Sequence, residues 1–397
     1  MELAVDAESA ARLREVRALG ESRMRPVGLE ADRAGAPVPP DHPFFAELVA
    51  RGFGRTRWSG EIAGADAEAP SGPRRSARTA VLLAEEMAYW DRGVAVAFPG
   101  PGLGEAPLLA IGTPEQRERF LAPFRAPDRP RWGSFAMTEP GAGSDVAAIR
   151  TTARRDGDAF VLSGAKSFAA NASRADWIVV FATVDPTLGR DGHRAFVVER
   201  GTPGLGGFHV EHKMGLKAYE STSFTLEGCR VPVANLLGGD TREKRGAGFK
   251  GAMQSFNATR PAIAAMAVGI GRAALDAALA FAREASLLRD PRVRDRLERM
   301  ERRLRAARLL CWRAAWLADE ARPNQLEASM AKAVAPAVAL EAATLGTDLL
   351  GEVGARGDHL LEKLFRDVKA MDIVEGTGQI QRIVMARQLL QLPRDGT

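Results

Sequence analysis

The triplet Glu375-Gly376-Thr377 stands just ahead of a helical C-terminal stretch, and its carboxylate has two possible uses. It can be an ordinary helix-start acid favoured by the helix dipole, and position alone favours that reading. Buried against an apolar ligand, it would have its pKa raised towards the working range and could abstract a proton. Gly376 would then let the backbone approach that ligand closely. A second candidate is Gly141-Ala-Gly-Ser-Asp145. Its backbone N–H groups, entering a short helix, could hold a phosphate; the alternative is a plain glycine turn capped by Ser144 or Asp145. Other polar residues offer less. His209 and His212 fall on opposite faces of a β-like run, so no metal site is expected. Cys229 has no assigned histidine partner. Gly100-Pro-Gly-Leu-Gly104 lacks the glycine spacing and preceding strand of a dinucleotide fingerprint, and no Walker A sequence exists.

Three blocks must position these groups. Residues 1–130 read as helical. Ala77–Tyr89 carries Val81, Leu82, Leu83, Met87 and Ala88 on a stripe, Gly64–Pro73 reads as a loop, and Thr113, Pro114 and Gln116 form a capping-box signature. Residues 131–240 carry the β-rich runs Ala159–Leu162, Trp177–Val184, Arg194–Glu199 and Ser221–Leu226. An antiparallel sheet or small barrel is expected there. Residues 241–397 turn helical again, over Arg260–Arg283, Val293–Asp319, Ala328–Leu350 and Thr377–Leu390, the last with Ile380, Ile383 and Val384 on one face. Long helices with short loops suggest a four-helix bundle, and Ala264, Ala265, Ala267, Gly269 and Gly271 permit close helix approach. The fold class is mostly α with a central β domain.

Composition narrows the function. The chain has 397 residues, 46% of them apolar, and a formal net charge of +5. Two or three packed units are expected. The segment from Arg283 to Arg308 holds ten arginines and five acids. It reads as a solvated helix face laced by Arg294/Glu298, Glu298/Arg302 and Glu301/Arg305 pairs, with a nucleic-acid surface as the weaker alternative. No RNP motif or zinc finger accompanies it, so no nucleic-acid partner is expected. Part of the surplus could steer an anionic ligand. No run of 18 apolar residues argues for a membrane span. The acidic N-terminus and only two cysteines point to a reduced cytoplasmic setting.

Five segments, in order and spacing, resemble the acyl-CoA dehydrogenase family. Phe135-Ala-Met-Thr-Glu-Pro-Gly-Ala-Gly-Ser-Asp145 looks like its signature, and Gly164-Ala-Lys-Ser-Phe-Ala-Ala-Asn171 like its Lys-x-Trp-Ile-Thr-Asn strand. Lys213-Met-Gly-Leu-Lys217, Arg230-Val-Pro232 and Leu236-Leu-Gly238 match the end of the β domain. Thr259-Arg-Pro261 through Gly271-Arg-Ala-Ala-Leu-Asp276 resembles the first bundle helix. Arg366-Asp367, Glu375-Gly-Thr377 and Gln379-Ile-Gln-Arg382 match the C-terminal motif.

The resemblance implies an N-terminal helical domain, a small β-barrel domain and a C-terminal four-helix bundle, with FAD as cofactor. It implies oxidation of an acyl-CoA, or a carrier-protein thioester, to the trans-2-enoyl product. Glu375 is then the α-proton base, since the other position some relatives use is Thr259, which cannot serve. Phe135, Met137, Thr138, Gly143, Ser144, Phe168, Thr377 and Gln379 would meet the cofactor. Phe168 stands for the ring-shielding tryptophan; a lone strand aromatic is otherwise core. Ser144, Arg260 and Gly376 would meet the substrate, although without the match Arg260 is a surface arginine. An electron-transfer flavoprotein would accept the electrons, and the chain would form a dimer or tetramer.

The sequence departs from the family where a neighbouring subunit's FAD is usually held. Ala285 and Leu288 replace the Arg and Phe of Arg-x-x-Phe-Gly, Asp348 replaces a Gln, Gly351-Glu352 replaces Gly-Gly, and Ala170 replaces a strand threonine. One lost charge-assisted phosphate contact costs about 1.5–3 kcal/mol, roughly ten- to a hundredfold in affinity. Three readings stay open: altered FAD contacts, with Arg283 or Arg289 substituting; a hetero-oligomer whose partner supplies the missing groups; or lost activity. A flavin oxidase or monooxygenase of the same fold, and a FAD-poor partner subunit, are the alternative functions.

Overall fold

The computed structural model describes residues 5–56, 76–239 and 247–391, leaving aside the side chains of 247–258 and 355. The stretch 64–73, read above as a loop, lies outside the described residues. The N-terminal helices are α1 (Ala7–Leu19), continued through a π turn into α2 (Arg25–Ala34), then α3 (Pro43–Ala50), α4 (Ala77–Ala97), α5 (Glu105–Ile111) and α6 (Pro114–Leu121). The capping box forms at α6, where Gln116 N donates to Thr113 Oγ1 (3.2 Å) and Thr113 N to Gln116 Oε1 (3.0 Å). The dihedrals of α4 break at Asp91 (φ −165°, ψ 112°) before the helix resumes to Ala97. Asp91 Oδ1 accepts from Val94 N at 2.8 Å, so it restarts the helix as an N-cap would.

The central domain is a curled seven-stranded sheet: β1 (Gly133–Ala136), β2 (Thr152–Asp156), β3 (Ala159–Ala170), β4 (Trp177–Thr183), β5 (His193–Glu199), β6 (Leu205–Val210) and β7 (Ser221–Pro232). It is mixed rather than wholly antiparallel, because β1 and β2 both run parallel to β4. Parallel neighbours need long crossovers, not hairpins. All seven residues of β4 are buried, which explains its unbroken apolar run.

The C-terminal block contains α7 (Ala247–Glu284), α8 (Pro291–Asp319), α9 (Gln325–Leu350), α10 (Leu360–Lys369) and α11 (Gly378–Leu389). Its core gathers the alanine stripes of α7 and α9, Leu304 and Cys311 of α8, and Leu361, Leu364 and Val368 of α10. Helices α7 and α9 are long and apolar enough to cross a membrane, but most of that surface is buried in the bundle. Gly269 explains part of the small-residue pattern: a Cβ there would lie 2.1 Å from the Glu85 carbonyl oxygen of α4. The apolar face of α11 stays largely outside the core. Gln381 is buried instead, Ile383 is 48% exposed, and Ile380 and Val384 are only partly covered. On α8, Glu298–Arg302 and Glu301–Arg305 pair at 3.5 and 2.5 Å. Arg294 does not join Glu298; it turns back to the Leu288 carbonyl at 2.7 Å, where the preceding turn leaves an acceptor free.

Candidate active site

Between α10 and α11 the chain makes a tight turn. Glu375 takes φ +54° and Gly376 φ +89°. A left-handed glutamate costs on the order of 1–2 kcal/mol, so the surroundings must impose it. At Gly376 that φ disfavours a side chain, and a Cβ would lie 2.6 Å from Gln381 Nε2, which would have to shift. Thr377 caps α11, its hydroxyl accepting from Ile380 N at 3.3 Å. From α7, Thr259 Oγ1 donates to Glu375 Oε2 at 2.8 Å. From α9, Lys332 Nζ donates to the carbonyls of Met371 (2.7 Å) and Gly376 (3.3 Å).

The electrostatics suit a proton acceptor. Loss of water by burial pushes the Glu375 carboxyl above the usual range, opposed by the Thr259 hydrogen bond and by the cations Arg92, Lys332 and Arg260. Arg92 Nε and Arg260 Nε and Nη1 are buried with no hydrogen-bond partner among the described residues. Burial lowers both guanidinium pKa values, against the pull of Tyr219 and Glu375 on Arg92 and of Glu375 on Arg260. A carboxylate with a raised pKa, held by one hydroxyl and flanked by cations, is a stronger proton acceptor than an exposed one.

The second group of candidates follows β1. Ser167 N donates to the Thr138 carbonyl at 2.9 Å, and Lys166 Nζ donates to the Met137 carbonyl (3.2 Å) and to Glu139 Oε1 (2.7 Å). The Glu139 carboxylate also accepts from Arg150 N (2.6 Å) and Thr151 N (3.0 Å). Burial drives the Lys166 ammonium down to about 8, with Glu139 opposing. Beyond this staple, Gly141 and Gly143 have open space where side chains would stand, and Ser144 is exposed. The cap of the short 3-10 turn is Asp145, which accepts from Ala147 N at 3.2 Å. Phe168 sits at a bulge of β3 with φ +58° and is 65% exposed, so it is not a core residue. Phe135 lies partly open on β1 against Phe181.

Thus Thr259, Glu375 and Gly376 come together with Arg260 nearby, and Met137, Thr138 and Phe168 share the Lys166 end of β3. Ser144 and Gln379 are exposed and hydrogen-bond to neither group among the described residues. Arg92, Lys332 and the donor role of Thr259 escaped the sequence reading. Lys332 carried a signal, as the only basic residue in the alanine-rich α9.

Family models for the N-terminal, middle and C-terminal domains of acyl-CoA dehydrogenase match residues 6–126, 134–229 and 246–390. The chain belongs to the acyl-CoA dehydrogenase family. It is 41% identical over 290 residues to the short-chain specific acyl-CoA dehydrogenase of Bos taurus, covering 72% of this chain and 69% of the relative. The fold is similar to butyryl-CoA dehydrogenase from Megasphaera elsdenii (TM-score 0.85, 30% identity, 98% and 100% of the two chains). It is also similar to a chain in the electron transferring flavoprotein structure from Acidaminococcus fermentans (TM-score 0.86, 32% identity, 98% and 100%). Members of the acyl-CoA dehydrogenase family are FAD flavoproteins and oxidoreductases. The residues here fit that group: an open glycine turn, stapled carbonyls at Met137 and Thr138, and an aromatic ring turned outward at Phe168.

The family departures have definite places. Ala285 is exposed just past α7, and Leu288 packs partly against the bundle core. Asp348 is ion-paired with Arg296 at 3.0 Å. Glu352, Arg283 and Arg289 are exposed.

Proposed function

We propose that the chain oxidises a short acyl-CoA thioester to its trans-2-enoyl product, with Glu375 as the α-proton base. The observation that carries this is the Glu375 turn: a left-handed carboxylate, raised in pKa by burial and held by Thr259. The α proton is weakly acidic, and hydrogen bonds to the thioester carbonyl oxygen would stabilise the developing enolate. Gly376 offers backbone for that purpose, and Arg260 and Ser144 border the substrate. Phe135, Met137, Thr138, Gly143, Ser144, Phe168, Thr377 and Gln379 would hold FAD, which when bound supplies the acceptor for the β hydride. The short acyl length rests on the named substrate ranges of the Bos taurus and Megasphaera relatives. An electron-transfer flavoprotein as acceptor rests on the Acidaminococcus likeness.

The test is anaerobic bleaching of the flavin by a panel of acyl-CoA esters. Glu375→Gln should slow bleaching by roughly a hundred- to ten-thousandfold while FAD content stays unchanged. Bleaching at the wild-type rate would remove Glu375 as base. A second reading, a FAD-poor subunit of a hetero-oligomeric dehydrogenase, is favoured by Ala285, Leu288, Asp348 and Glu352. It predicts no bleaching by the chain alone and Glu375-dependent bleaching once a related chain is co-expressed.

A further inference from the structure

We infer that Lys332 is a positioning residue for catalysis: its ammonium clamps both ends of the Glu375 turn and fixes the carboxylate in its working pose. The inference rests on the reading of Glu375 as the base. Three lysines are buried among the described residues, Lys166, Lys332 and Lys363. Lys166 has a carboxylate partner in Glu139, and Lys363 has two, Asp91 and Asp367. Lys332 alone pairs with no carboxylate among the described residues. It spends its charge on two backbone carbonyls, Met371 and Gly376, which bracket the segment carrying Glu375. An ammonium buried without an ion pair is costly, and an apolar side chain would serve the alanine-rich packing of α9 better.

What the charge achieves is local. Two consecutive residues, Glu375 and Gly376, are held at positive φ, and a carbonyl pinned at Gly376 fixes the peptide that follows the base. Gln381 Nε2 reinforces the same carbonyl at 3.3 Å. The clamp also places a positive charge beside Glu375, lowering its pKa against the effect of burial. Burial in turn drives the Lys332 ammonium down to about 8, with Asp372 and Glu375 opposing and Arg260 adding to the fall. The clamp therefore loses its charge in the mildly alkaline range.

The experiment uses the purified full chain, with FAD supplied and an artificial electron acceptor. Lys332→Met removes the clamp, and Lys332→Gln keeps a donor without charge. Two quantities are read: kcat and KM, and the pH midpoint of the Glu375 carboxyl infrared band, identified by its loss in Glu375→Gln. In Lys332→Met, kcat should fall on the order of ten- to a hundredfold with little change in KM. Lys332→Gln should lie between, and the carboxyl midpoint should rise in both. A purely structural lysine would lower thermal stability but leave the midpoint and kcat per folded chain alone, and that result overturns the inference. If neither variant folds, the wild type decides. Its kcat should fall as pH rises through about 8, and a flat kcat up to about pH 10 overturns the clamp. Full turnover by Glu375→Gln would instead defeat the base assignment, an outcome distinct from a silent Lys332.

Discussion

At Glu375 two opposing influences act on the carboxyl pKa: burial raises it, while the Thr259 hydroxyl and the nearby cations lower it. Removing the hydroxyl leaves burial less opposed. Under the proposed role of Glu375 as base, which requires it ionised, Thr259→Val should therefore move the acidic limb of kcat/KM to higher pH. A hydrogen bond to a charged group contributes about 1.5–3 kcal/mol, which corresponds to a shift of roughly one to two pH units. A pH–rate profile checks this, and an unmoved limb would separate Thr259 from the base. Glu375 was legible in the sequence only through its motif, because position alone favoured a helix-start acid. Thr259 stands where some relatives place the base and cannot serve as one; its use as a donor was invisible because the two residues lie 116 positions apart. Arg92 had no local pattern at all, since nothing in α4 marks a charge that turns towards Glu375.

Among the elements, the Arg366-Asp367 pair shows what a short motif can be for. Arg366 binds Asp32 of α2 with two hydrogen bonds, at 2.8 and 2.6 Å, and donates to the Met214 carbonyl at 2.9 Å. Asp367 Oδ1 accepts from Leu216 N at 2.6 Å. The helix α10 thus ties the N-terminal helices to the Lys213–Lys217 segment and to the bundle. Asp91 and Asp367 both bind Lys363 in the core. Although burial opposes it, these carboxylates hold the Lys363 ammonium well above its ordinary range, while burial keeps Asp367 raised. Lys363→Met would strand two buried carboxylates and should destabilise the fold by about 3–5 kcal/mol. In that variant the Asp367 carboxyl, already raised by burial, would lose the opposing ammonium and keep a folded pKa above its unfolded one. The folded form then binds more protons, so stability is present at low pH and lost as pH rises. Urea unfolding should accordingly show a smaller deficit at about pH 5 than at about pH 8. Gly269→Ala should also destabilise, by about 1–3 kcal/mol, because its Cβ meets the backbone of α4, and thermal melting checks it. The long helices and most strands were legible from apolar spacing. The parallel pairings of β4 and the core role of α10 were not, since both depend on partners distant in the chain.

Over the whole molecule, the Glu375 turn is held by hydrogen bonds from α7, α9 and α11, while Ala285, Asp348 and Glu352, where the sequence departs from the family pattern, are exposed. The apolar residues Ile373, Ile383, Leu389 and Leu390 are exposed. Where the family resemblance leads one to expect an arginine, Ala285 offers no charge. Asp348 is already engaged by Arg296, a half-exposed surface pair that contributes at most about 1 kcal/mol. If FAD is shared between copies of this chain, its affinity should be weaker by roughly ten- to a hundredfold for each missing charged contact. The visible spectrum of the purified chain should therefore show less than one FAD per subunit. Ala285→Arg should raise retention by about tenfold, measured by FAD titration after gel filtration. A stoichiometric wild-type spectrum would mean that the altered contacts are tolerated. A colourless chain that fills on Ala285→Arg would locate the deficit at that contact. A chain colourless in both forms would leave the hetero-oligomer and the loss of activity, and Glu375-dependent bleaching on co-expression with a related chain would separate the two.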